Sequence, residues 1–266
     1  VLWGQHQPAC KYANFFADFS YTEGYKKTSV TKKSGEKSHL FSKYIKNFKG
    51  KNNSENTLNL SFQNISNDKY LKLYKINSNL VDYNIDTLEN SISFTHNTKD
   101  LFIGANAKIF ETLKDSYNDK YEYILPEAFI DKNIFNNDLG NLDLQSNLKV
   151  HNYDTNKFTK FLVNDFNWNS KDFYLDNGLY SKILGNFKNI NYEANNVDLY
   201  KKDFTNEVHA AFGLLSELKL QKKTSSSKHF FTPKLLLRYA PGQMRQEDDD
   251  TKLDPIRAFS MNKVND

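Results

Sequence analysis

Hydrophobic residues along this chain return at every second position. At 57–63, Leu58, Leu60 and Phe62 alternate with Asn59, Ser61 and Gln63. At 141–150, Leu142, Leu144, Leu148 and Val150 alternate with Asn141, Asp143, Asn147 and Lys149. One parity at 208–220 holds Val208, Ala210, Phe212, Leu214, Leu218 and Leu220. The same holds for Phe15, Phe19 and Tyr21 within 13–21, and for Phe231, Leu235, Leu237 and Tyr239 within 231–239. Successive side chains on a strand point to opposite faces, so each segment has one apolar and one polar face. Weaker candidates lie at 39–48, 91–96, 101–107, 158–168, 172–180 and 186–193. Together they predict about a dozen strands. The polar stretches 47–56, 131–137 and 221–228 read as connections. Only 106–114 has helical spacing, through Ile109, Phe110 and Leu113, and is the one candidate for a short helical turn.

Alternation of this kind fits two all-β architectures. A soluble sandwich buries the apolar face of each sheet and wets the other. An outer-membrane barrel turns the apolar face to lipid and lines a lumen with the polar one. Three features tilt toward the barrel. Several candidates approach the ~9–11 residues that cross a bilayer with tilt. Aromatic residues stand near strand ends (Tyr12, Tyr21, Trp168, Tyr180, Tyr192, Tyr239), as in barrel girdles. The connections are long and polar.

Composition sharpens this. Aromatic residues make up 15% of the 266, although the mean hydropathy is -0.73. Disordered chains are poor in aromatics, so the chain is expected to be ordered. No run approaches the ~18–20 apolar residues of a helical span. A formal charge of +4, with 32 acidic residues spread among 36 basic ones, is too weak for a nucleic-acid reader. The usage is rich in Asn (34 residues) and poor in Arg (three), which fits an AT-rich genome and says little about function. Cys10 is the sole cysteine and forms no internal disulfide; it reads as a bystander thiol.

Residues that would carry catalysis are sparse. The six histidines are scattered, with no HExxH or paired-cysteine spacing, so neither a zinc site nor another metal or cofactor is expected. There is no phosphate-binding glycine loop and no Gly-x-Ser-x-Gly. Glu247 with Asp248–Asp250 lacks the ligand spacing of a calcium loop and reads as a solvated tip. Asp115 and Asp119 as an acid–base pair have no pocket to support them. Pro126 and Pro233 belong at a strand start, an edge or a bulge, and Pro241-Gly242 marks a turn. No enzymatic activity is expected.

Six segments, in order, carry a resemblance. They are Ser-Asn-Asp-Lys-Tyr-Leu-Lys at 66–72, with Tyr70 and Leu71, and Tyr-Glu-Tyr-Ile-Leu-Pro-Glu at 121–127, with Tyr121, Tyr123, Leu125, Pro126 and Glu127. His-Asn-Tyr-Asp-Thr-Asn follows at 151–156 and Asn-Tyr-Glu-Ala at 191–194. Thr-Pro-Lys-Leu-Leu-Leu-Arg-Tyr-Ala-Pro-Gly at 232–242 contributes Pro233, Arg238, Tyr239, Pro241 and Gly242, before Ala-Phe-Ser-Met-Asn at 258–262. This ordered set resembles the C-terminal β-barrel of the lipopolysaccharide-assembly outer-membrane proteins, also called organic solvent tolerance proteins, in their alphaproteobacterial form.

The resemblance implies an antiparallel transmembrane barrel in the bacterial outer membrane that inserts lipopolysaccharide into the outer leaflet. It implies as partners a lipoprotein plug in the lumen, membrane lipid, and periplasmic bridge proteins reached through a jelly-roll domain. Residues 1–266 are expected to be an interior segment of that barrel, without the jelly roll or the strands that close it. Cys10 has no clear counterpart among the family's disulfides, and no gate residue is carried over. Another barrel, a porin or receptor, and a soluble β-sandwich adhesin stay open as alternatives. Lys149, Lys160, Lys219 and Lys234, at or beside polar parity, are candidate lumen contacts for a phosphate-bearing head group. Ordinary solvation of the lumen is the plainer account of them.

Overall fold

The computed structural model describes residues 2–6, 9–10, 13–23, 36–114, 119–154, 156–175 and 178–241. The strands are β1 (Leu2–His6), β2 (Ala9–Cys10), β3 (Ala13–Glu23), β4 (Glu36–Lys49), β5 (Glu55–Ile65), β6 (Thr87–Asn97), β7 (Leu101–Thr112) and β8 (Tyr121–Asn137). They continue with β9 (Gly140–Tyr153), β10 (Lys157–Asn169), β11 (Phe173–Tyr174), β12 (Leu179–Asn195), β13 (Thr205–Leu218), β14 (Leu220–Lys223), β15 (Lys228–Phe231) and β16 (Lys234–Tyr239). One short helix, α1 (Tyr70–Tyr74), lies between β5 and β6.

The sheet is antiparallel and runs β1-β3-β4-β5-β6-β7-β8-β9-β10-β12-β13-β16, with β2 and β11 paired at its side. This path matches the dozen strands read from the alternation. Among the described residues no ladder joins β1 to β16. From β3 to β10 the strands are 11–17 residues long, enough to cross a hydrocarbon layer at a tilt. Hairpin connections between sequence neighbours produce this order without crossovers.

Several expectations need correction. The stretch 221–228 is not all connection, because Leu220–Lys223 and Lys228–Phe231 pair as strands β14 and β15 and leave only 224–227 as the turn. Residues 106–112 are strand, not a helical turn, because Asn106 to Thr112 pair residue by residue with Ser93 to Thr87. Local spacing yields there to the ladder. Residues 131–137 are the second half of β8, not a connection. The candidate at 172–180 divides into β11 and the start of β12, and the latter absorbs 186–193. The candidate at 231–239 is broken at Thr232 and Pro233, where β15 ends and β16 begins. Pro126 lies within β8, which is flanked by β7 and β9. Leu125 and Pro126 are both exposed, and the exposed parity changes from Tyr121 and Leu125 before them to Ile130, Lys132 and Ile134 after. One extra residue in a bulge shifts alternation in this way.

The chain forms two compact units. The first comprises Val1–Ile130, Asn147–Phe161 and Tyr192–Phe204. Its strand register places Phe19, Leu40, Leu60, Phe62, Ile92 and Phe94 on one face, and all six are exposed. The opposite face carries Asp18, Ser20, His39, Asn59, Ser61 and Ser93. The hydrophobic core here is a cluster of Phe41, Tyr70, Leu71, Val81, Leu88 and Leu113.

The second unit comprises Asp131–Ser146, Leu162–Asn191 and Thr205–Asp266. Ile183, Phe187, Phe212, Leu214, Leu237 and Tyr239 are exposed in it. Asp165, Asn186 and Lys188 are buried instead. Asn186 donates to Asp165 (2.6 Å) and Asn167 (2.8 Å), and the Lys188 ammonium stands 3.7 Å from Asp165. Buried polar groups of this kind are tolerated because they satisfy each other.

Candidate functional site: the polar face beneath residues 66–86

Residues 66–86 fold back over the polar face of the first unit. Ser66 begins the return, its N–H donating to the Ser38 carbonyl (2.9 Å) and its Oγ accepting from the Ser38 N–H (2.8 Å). Asn67 accepts from the Lys69 N–H through its side chain (3.0 Å), an Asx turn that starts α1. Lys75 ends the helix in the left-handed region, with φ 49°, and its N–H donates to Leu71. Ser78 Oγ then accepts from the N–H groups of Leu80 and Val81 (3.2 Å each), which sets Val81 into the core.

This returning segment covers two polar pairs. His39 Nε2 is 2.9 Å from Asp18 Oδ1, and neither side chain has accessible surface. Tyr70 donates its hydroxyl to Ser20 Oγ at 3.0 Å. Burial pushes the Tyr70 phenol pKa up, so it remains a neutral donor across the physiological range. Asp18 Oδ2 and His39 Nδ1 are buried without a hydrogen-bond partner among the described residues. Ser20, His39 and Asp18 are thus neighbours, but Ser20 is engaged by Tyr70 and nothing accessible reaches His39. The arrangement clamps the segment rather than activating a nucleophile.

Ion pairs tie its rim. Lys72 bonds Asp86, and Lys120 bonds Glu111 (2.8 Å) and Asp68 (3.1 Å). The bond to Glu111, with Asp68 behind it, holds the Lys120 ammonium well above the ordinary lysine range. Lys72 holds the Asp86 carboxyl below its ordinary 3.8. A depressed carboxylate pKa contributes stability above the unfolded value that is lost as pH falls through the folded one. The Asp86 midpoint, followed by carbon NMR, is therefore expected below 3.8 and is expected to return to it in Lys72→Met. An unchanged midpoint would show that the pair does not persist in solution.

Beside this rim a cleft of about 160 Å³ is lined by residues including Phe110, Thr112, Lys120, Tyr121, Glu122 and Asp154. It is smaller than the roughly 300–1,000 Å³ of small-molecule sites. Asp119 lines it, whereas Asp115 lies outside the described residues. His151 bonds Glu122 (2.7 Å), and His96 bonds Asn56 (2.7 Å). Among the described residues no group of three or more His, Cys, Asp and Glu is placed to hold a metal.

The signature residues have separate places. Tyr70 and Leu71 are core. Tyr121, Tyr123, Leu125, Pro126 and Glu127 belong to the first half of β8, where Glu127 faces Lys108 (3.8 Å). The Pro233 carbonyl accepts from Leu218 (3.1 Å) and extends the ladder of β13 and β16. Arg238 pairs with Gly213 and Tyr239 with Phe212 in that ladder. Gly242, residues 247–250 and the segment 258–262 lie outside the described residues, and of Cys10 only the backbone pairing with Ala13 is described.

Of the four candidate lysines, Lys219 and Lys234 converge on Glu217, at 4.0 and 3.3 Å. Lys219 also stands 4.5 Å from the Tyr180 ring centroid, and it lies between β13 and β14 rather than in a strand. Lys149 is exposed at the parity of Asn141, Asp143 and Gln145, the polar face. Lys160 is different: it shares parity with Phe158, Leu162 and Phe166, while Thr159 and Asp165 on the other parity are buried. It therefore belongs to the apolar face.

Asp18 and His39 are absent from the candidates drawn from sequence. They are 21 residues apart, and only the register that sets Ser20 opposite His39 and Asp18 opposite Phe41 brings them together. No family profile matches this chain, and no curated protein sequence matches it significantly.

Proposed function

We propose that the chain is part of an outer-membrane β-barrel of the lipopolysaccharide transport machinery, which inserts lipopolysaccharide into the outer leaflet. The observation that supports this is the inverted distribution of polarity. Large apolar side chains such as Phe62, Ile92, Phe212 and Leu237 are exposed, while Asp18, His39, Asp165 and Lys188 are buried. In water such an apolar face is a liability. Against acyl chains it is the favourable surface, and the long antiparallel strands hydrogen-bond the backbone that lipid cannot. The ordered resemblance at 66–72, 121–127 and 232–242 supplies the lipopolysaccharide role, with the lipoprotein plug and periplasmic bridge proteins as partners.

Photocrosslinkers in the intact protein in cells test this. At Leu60 and Phe212 they are expected to capture acyl chains, and at Lys149 and Lys234 the glycolipid. Failure to capture lipopolysaccharide at either lysine would remove the transport role.

A second reading draws on the returning segment 66–86, since porins also fold a segment onto the lumen side as a constriction. Selective ion conductance through the intact protein in planar bilayers, with no glycolipid capture, would favour that reading.

A further inference from the structure

The β14–β15 hairpin is a polar projection unlike the rest of the second unit. It forms its own two-stranded sheet, with Leu220 opposite Phe231, Gln221 opposite Phe230, Lys222 opposite His229 and Lys223 opposite Lys228. Every residue from 219 to 235 is exposed. Thr224 and Ser227 close the turn, the Thr224 N–H donating to the Ser227 carbonyl at 2.8 Å. The stretch 219–233 holds four lysines and no acid. With four of the 36 basic residues and none of the 32 acidic ones there, the remainder of the chain carries no net formal charge. Among the described residues no ion pair engages Lys222, Lys223 or Lys228, whereas Lys219 is held by Glu217.

Polarity changes in steps along the axis of this projection. The β13–β16 ladder presents exposed Phe212, Leu214, Leu235 and Leu237. Next come Phe230 and Phe231, 71% and 66% exposed. Lys222 and His229 follow one residue beyond Phe230 and two beyond Phe231, about 3 and 7 Å at the strand rise, and Lys223 with Lys228 comes after them. Hydrocarbon, aromatic belt, cation layer and hydroxyl turn follow in the order found across a membrane surface. A nucleic-acid site would want stacking rings interleaved with its cations, whereas here both rings lie on the ladder side of Lys222, Lys223 and Lys228.

We propose that this hairpin docks on an anionic lipid surface, with Lys222, Lys223 and Lys228 meeting headgroup phosphates and Phe230 and Phe231 seated at the interface below. The proposal rests on the membrane reading above for the orientation of the β13–β16 ladder. Basic residues close to such a surface each contribute roughly fivefold in affinity, so three together contribute about a hundredfold.

The test uses the full chain bearing Cys10→Ser and Ser226→Cys, with an environment-sensitive dye on the new thiol. Vesicles of phosphatidylcholine alone are compared with vesicles in which about a third is phosphatidylglycerol. The dye is expected to shift to the blue only with phosphatidylglycerol and to recover in molar salt, where screening is short-ranged. The joint variant Lys222→Gln, Lys223→Gln and Lys228→Gln is expected to lose the shift. The pair Phe230→Ser and Phe231→Ser is expected to reduce it with the charges intact. An indifferent dye, or an equal response to inorganic phosphate or heparin without anionic lipid, would overturn the proposal. Flotation separates the two ideas. A chain that floats with phosphatidylcholine while its dye ignores phosphatidylglycerol sinks only the hairpin's role. A chain that stays in water yet responds to phosphatidylglycerol sinks only the membrane barrel.

Discussion

Replacing His39 with alanine is expected to destabilise the first unit by about 3–5 kcal/mol, the cost of leaving a buried charge without its partner. Asp18 and His39 have no accessible surface, and one oxygen of Asp18 already lacks a partner among the described residues. Removal of the imidazole strands the carboxylate entirely, and water reaches it only if residues 66–86 lift away. Asp18→Asn keeps a group that can bond the ring and is expected to cost less, about 1–3 kcal/mol. Denaturant unfolding in lipid or detergent gives the total. Amide exchange then distinguishes a lifted segment from a general loss, since a lifted segment exposes Leu71 and Val81 while β3–β6 pairing stays protected. If His39→Ala unfolds with the same midpoint as the parent chain, the pair does not hold the segment.

That pair also shows where sequence reading stops. The strands β5, β9 and β13 are legible because their apolar residues fall on one parity. Residues 131–137 are not, because the polar side of that strand is held by side-chain bonds rather than by apolar burial. Asn133 donates to Asp143 at 2.7 Å, and also to Asn141. Such bonds depend on which residues face each other across the hairpin. The helical spacing at 106–114 misleads for the same reason, as the Asn106–Ser93 register outweighs a three-residue pattern. The clamp on residues 66–86 is harder still. It needs the β3–β4 register to place Ser20 beside His39, and a tertiary return to bring Tyr70 from 50 positions away. Period two tells which residues share a face, but not which face is covered.

Which face meets lipid is decided by two substitutions one residue apart. Leu60 is the sixth of the eleven residues of β5, exposed, and opposite Tyr44 and Ile92. Ser61 is its neighbour on the polar face, opposite Lys43 and Ser91. In a bilayer, Leu60→Arg places a cation near the midplane and is expected to cost about 2–4 kcal/mol. Ser61→Arg sends the same charge to the polar side and is expected to cost under about 1 kcal/mol, because polar groups already solvate it. In a water-soluble β-protein with this face open to solvent, Leu60→Arg changes stability by no more than about 0.5 kcal/mol. If the apolar face were instead the dry inside of a sandwich, arginine there would be as damaging as in a membrane. That case is separated by flotation, because the parent chain would then remain in the aqueous layer. The membrane reading requires both results together: flotation with lipid, and unfolding in vesicles that is sensitive to charge at 60 and tolerant of it at 61. An Leu60→Arg chain as stable in vesicles as the parent would place β5 outside the hydrocarbon.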